Sequence, residues 1–165
     1  MSNEHDPWPK KLAITTCQDL FEWYRAHLCR VPIIDPRGYR VSFVPENFIH
    51  LIKLKNEYGR EPGNARLAVK RVEQGRFRLV DGRFDRQRAM ELPWARVLAT
   101  RPDCICSNWV PTAVGEEAYI KNFGTPTNPL YRILICQVIG KRRRIVTIFP
   151  RRTIGKQELD RQIWP

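Results

Sequence analysis

The hydrophobic period of this chain changes at Pro102, and that change constrains the fold more than any other feature of the sequence. Before it, apolar residues recur at helical spacing. In Thr16–Arg30, Cys17, Leu20, Phe21, Tyr24 and Leu28 fall at i, i+3, i+4, i+7 and i+11, and Thr16 with Asp19 reads as a capping pair. Further helices are expected over Pro45–Tyr58, Asn64–Gln74 and Asp85–Thr100, the last kinked at Pro93. A loop over Val31–Arg37, a short strand at Tyr39–Val44 and a possible strand at Phe77–Val80 lie between them. After Pro102, Cys104–Val110, Ala118–Phe123, Tyr131–Ile139 and Arg144–Phe149 read as four successive strands with short connections. Short connections make neighbours antiparallel, and Tyr131–Ile139, apolar on both faces, belongs in the middle. A short helix is expected over Ile154–Trp164. The layout is α+β: N-terminal helices packed on a C-terminal four-stranded antiparallel meander. Residues 1–15 read as an extended arm, with Pro7 and Pro9 around Trp8, and residues 16–165 as one domain.

Charge is distributed unevenly over that layout. From Ala118 to Gln157 the chain carries nine Lys or Arg and no acid, whereas residues 1–117 hold 15 of the 17 acids. The net charge of the whole is +12. A basic, acid-free sheet has a polyanion as its usual partner; a solvated surface that keeps the chain in solution is the plainer alternative. RNA or DNA, single-stranded or as tRNA, and an acidic protein such as an inhibitor or antitoxin are the partner classes. No segment approaches the ~20 apolar residues of a membrane span, so no membrane partner is expected. Met1–Lys11 is polar and proline-interrupted, unlike a signal core. Five cysteines do not make a paired framework, and Cys104-x-Cys106 has no second pair to complete a zinc knuckle, so reduced thiols in a cytoplasm are expected, without metal or other cofactor.

The motifs of phosphate-loop enzymes, zinc deaminases, serine hydrolases and zinc peptidases are absent. The expected strands contain no acid, which speaks against a two-metal nuclease. Of three histidines, His5 lies in the arm and His27 on the outer flank of the first helix. His50 sits inside Asn47-Phe48-Ile49-His50-Leu51-Ile52-Lys53, one turn after Glu46. It reads either as a structural His satisfied by Glu46 or as a proton carrier whose ring that carboxylate orients.

A His in a short apolar helix, further helices, then a basic antiparallel meander ending in Ile145-Val146-Thr147-Ile148-Phe149-Pro150 resembles the barnase–EndoU–colicin–RelE superfamily of nucleases, and most nearly its phage-associated branch. The matching parts are Phe48–Ile52, Tyr119-Ile120-Lys121, Tyr131–Gln137 and Val146–Pro150. The resemblance implies metal-independent RNA cleavage, in a phage or toxin setting, with His50 as the helical His, Lys121 as the cationic strand residue and Thr147 as the hydroxyl of the final strand. Cleavage by the RNA's own 2′-hydroxyl needs a base, an acid and cations around the phosphorane. Arg132 on the neighbouring strand adds such a cation. Lys53, Tyr119, Tyr131, Arg142, Arg143 and Arg144 are the candidate nucleic-acid contacts. A module that binds nucleic acid without cutting it would need the basic sheet but not His50.

Overall fold

A computed structural model describes residues 16–52, 62–76, 79, 85–109 and 115–165. The proposed arm, Lys53 and most of the Phe77–Val80 segment lie outside the described residues.

Helix α1 (Cys17–Tyr24) starts where the Thr16 side chain accepts a hydrogen bond from the Asp19 amide at 3.0 Å. It widens into a π-type turn over Arg25–Cys29, closed by the Arg30 amide donating to the Arg25 carbonyl. Strand β1 (Arg40–Ser42) follows, then a 3₁₀ turn at Pro45–Asn47 leading into α2 (Phe48–Leu51). The helix expected over Pro45–Tyr58 is therefore described only as these two short turns, and residues 53–61 lie outside the described set. Helix α3 spans Pro62–Glu73. The expected Asp85–Thr100 helix is divided by Pro93 into α4 (Arg86–Glu91), a 3₁₀ turn at Leu92–Trp94 and α5 (Ala95–Thr100). The remaining elements are β2 (Cys104–Ser107), β3 (Glu116–Asn122), β4 (Tyr131–Ile139), β5 (Arg142–Arg151), α6 (Lys156–Leu159) and β6 (Gln162–Trp164).

The fold is α+β, and its sheet is larger than the expected meander. Six strands lie in the order β1-β5-β4-β3-β2-β6. The antiparallel run β2-β3-β4-β5 forms the interior, with β4 between β3 and β5. Both edges add to it. β1 pairs in parallel with β5, and β6 pairs antiparallel with β2, so the sheet is mixed. The Ile154–Trp164 segment forms only one helical turn before becoming that edge strand. Strand β3 begins at Glu116, two residues before the expected start, which puts two acids into a sheet expected to contain none.

Ile133, Leu134, Ile135 and Cys136 are all buried because β4 is covered on both faces. On the helical face, Tyr119, Leu134, Cys136, Ile145 and Ile148 share a core with Phe21, Tyr24, Phe48 and Leu98. On the other, Ala118, Ile120, Ile133 and Ile135 pack with Cys104, Cys106 and Trp109. Each such aliphatic side chain contributes on the order of 1.5–3 kcal/mol of transfer free energy. The β4–β5 hairpin turns at Gly140, whose φ of 56° suits a residue without a Cβ. Its register shifts at Ile135/Cys136, which pair with Thr147 and Ile145 and leave Val146 as the extra residue of a bulge.

Candidate nucleic-acid interface

Strand alternation divides Arg142-Arg143-Arg144 between the two faces of β5. Arg143 pairs in register with buried Val41 and points to the helical side, where only 6% of its side chain is exposed. Its Nε donates to Glu117 Oε2 at 2.7 Å. The same oxygen accepts from Arg37 Nη2 at 2.6 Å, and Arg37 also donates to Asp35 Oδ2 at 2.7 Å. The Tyr119 hydroxyl donates to Asp35 Oδ2 at 2.9 Å, while the Tyr39 ring lies 4.1 Å from the Arg143 guanidinium carbon and 5.1 Å from that of Arg37. Burial pushes the Glu117 and Asp35 carboxyls up, but hydrogen bonds outweigh it and hold both below the usual carboxylate range, from Arg37 and Arg143 at Glu117 and from Arg37, the Tyr39 amide and the Tyr119 hydroxyl at Asp35. Burial also raises the Tyr119 phenol. Arg143 and Tyr119, expected as nucleic-acid contacts, are instead members of a buried ion network. Its acids come from Asp35 and Glu117, outside the acid-free stretch.

Arg142 and Arg144 take the other side. They sit opposite Arg40 and Ser42 in the parallel β1–β5 register, and all four line a groove of about 790 Å³ that wraps the β1 edge of the sheet. Arg25 and Arg30 from the end of α1 and its π-type turn, and Arg66 from α3, complete a lining of six arginines against two acids, Glu46 and Glu73. Arg25 lies 3.7 Å from Glu73 and 3.8 Å from Glu22. Among the described residues, Arg30, Arg40, Arg66, Arg142 and Arg144 make no ion pair. The groove wall is otherwise apolar, from Leu28, Val41 and Phe43. Arg25, Arg30, Arg40 and Arg66 were not among the residues singled out from sequence. They come from three separate segments, the π-type turn after α1, β1 and α3, and the tertiary fold brings them together.

His50 is exposed on α2, one turn after the groove residue Glu46. This turn is tied to β5 by Asn47 Nδ2, which donates to the Ile145 carbonyl at 2.5 Å, next to Arg144. Lys121 and Arg132 lie on neighbouring strands, as expected, and are register partners on β3 and β4, but each already has an acid. Lys121 Nζ is 2.8 Å from Asp103 Oδ1. Arg132 Nε is 2.8 Å from Glu91 Oε2, and its guanidinium carbon lies 4.3 Å from the Trp94 ring centre and 4.9 Å from that of Phe123. Thr147 Oγ1 accepts from Arg88 Nη1 at 3.1 Å. Arg88 and Glu91, three residues apart on α4, thus engage two of the four expected catalytic residues. Tyr131 is half-buried against the second core cluster. Lys121, Arg132 and Thr147 thus have partners within the fold, and His50 follows Glu46, a residue of the groove lining, by one turn.

Among the described residues, no three His, Cys, Asp or Glu side chains come together as a metal site, and no helix is long and apolar enough to cross a membrane. No protein-family model matches the chain, and neither a curated protein nor a solved structure is significantly similar to it.

Proposed function

We propose that this protein holds single-stranded RNA in the arginine-lined groove and cleaves it without a metal ion, with His50 as the proton carrier. The observation that supports this most is the groove itself: six guanidiniums face one cleft with two carboxylates, and five of the six make no ion pair among the described residues. Guanidinium forks match phosphate oxygens in geometry and charge. His50 stands one turn beyond Glu46, which lines that cleft, and an imidazole can take a proton from a 2′-hydroxyl or give one to a leaving oxygen. Groove arginines would then supply the cationic role first assigned to Lys121 and Arg132.

Binding without cleavage is the second reading. It is favoured by the engagement of Lys121, Arg132 and Thr147 with Asp103, Glu91 and Arg88, which ties three of the four expected catalytic residues into the fold. Labelled RNA incubated with the protein in EDTA distinguishes the two: shortened RNA supports the nuclease, whereas retained but intact RNA supports the binding module.

A further inference from the structure

The parallel β1–β5 pair sets like charges against each other. Arg40 is the register partner of Arg142, and Ser42 that of Arg144. Parallel neighbours are about 4.8 Å apart, and residues two apart on one strand about 6.6 Å. Three arginines and a serine therefore form a compact rectangle on one face of the sheet edge. Like charges directly opposite destabilise a strand pair, and Arg40, Arg142 and Arg144 make no ion pair among the described residues.

The arrangement is held from the opposite face. Val41 and Arg143, the residues between the members of the rectangle, are buried, and the carboxylate of Glu117 joins Arg143 to Arg37. Arg37 in turn is tied to Asp35, whose carboxylate also accepts from the Arg37 and Tyr39 amides, closing the loop that leads into β1. A buried ion network thus fixes the register that keeps the guanidiniums of exposed Arg40 and Arg142 and half-buried Arg144 close together. Such preorganised, mutually repelling cations are complementary to an anion with several oxygens. The serine hydroxyl adds a donor without adding charge.

We infer that Arg40, Arg142, Arg144 and Ser42 form a phosphate-binding clamp, and that in RNA it grips the sugar–phosphate backbone rather than the bases. Among the described residues the groove presents no exposed aromatic platform on which a base could stack: the one ring in its described lining, Phe43, is 4% exposed and belongs to the core. Recognition through this clamp is therefore tolerant of sequence. The inference rests on the proposed RNA reading for its polymer substrate, but the clamp itself requires only a phosphate ligand.

The test uses two probes, inorganic pyrophosphate and an oligouridylate, titrated into the full chain and into Arg40→Gln/Arg142→Gln/Arg144→Gln. Binding is followed by calorimetry and folding by circular dichroism. Wild type should bind both. The triple variant should lose pyrophosphate binding, and its slope of log K against log salt for oligouridylate should be shallower by about 2, from three contacts at about 0.7 each. Its melting temperature without ligand should equal or exceed that of wild type, because a repulsion has been removed. Arg40→Gln alone, at the exposed edge, should weaken pyrophosphate binding if the triple variant fails to fold. Wild type that binds no pyrophosphate, or variants that bind it as well as wild type, would overturn the clamp. Pyrophosphate bound and lost as expected, with oligouridylate bound by neither protein, would leave the clamp standing and refute the RNA reading.

Discussion

Glu117→Gln probes the buried network with little change in volume. The Glu117 side chain is 8% exposed and faces two guanidiniums, from Arg143 at 6% exposure and Arg37 at 15%. Four of their N–H groups reach its two oxygens at 2.6–3.3 Å. A glutamine offers one carbonyl and no charge, so Arg143 is left buried without an anion. Breaking a buried pair by removing one partner costs about 3–5 kcal/mol. For a chain of this size that corresponds to a fall of roughly 6–20 °C in melting temperature, at about 2–4 °C per kcal/mol. The pH dependence supplies a second readout. Asp35 and Glu117 titrate below their ordinary values in the folded chain. Their stabilisation is therefore complete above the unfolded carboxylate values near pH 4 and is lost as pH falls through the folded ones. Thermal melts of wild type and variant across that range should converge toward low pH. A variant that melts within about 2 °C of wild type at neutral pH, or an equal gap at every pH, would refute the assignment of this network as the tie between β1, β3 and β5.

Arg132→Ala should act on stability before it acts on turnover, because it strands Glu91 at 9% exposure and removes the stacking on Trp94 and Phe123; a loss of about 3–5 kcal/mol in denaturant unfolding is expected. Lys121→Gln should cost under about 1 kcal/mol by the same assay, since Asp103 is half exposed. His50→Ala should lower RNA cleavage by about 10²–10⁴-fold while RNA affinity is kept; a variant as active as wild type would remove His50 from the mechanism.

The interior of the sheet could be read from the sequence because its signal is local. Tyr131–Ile139 is apolar on both faces, and it forms β4 with those limits. The edges could not be read in the same way. Arg40–Ser42 joins the sheet through a parallel partner about a hundred residues away, and Gln162–Trp164 is a three-residue strand fixed by Ile105 and Cys106. Such short segments take their conformation from tertiary pairing rather than propensity. The charge pattern misled for a related reason. The stretch without acids does not make a face without acids, because Glu91, Asp103, Glu117 and Glu158 reach its cations from elsewhere. Period-2 alternation did carry one usable signal: Arg143 must face away from Arg142 and Arg144. With Val41 apolar and Arg40 polar on the neighbouring strand, the same alternation was present there too, but the pairing of the two strands was not.

The central claim is that the arginine groove presents RNA to His50. It is tested most directly by incubating labelled single-stranded RNA with wild type and with His50→Ala, at low salt in EDTA, and following retention and chain length on one gel. Both proteins should retain the RNA, and only wild type should shorten it. RNA that is neither retained nor shortened by wild type would contradict the account.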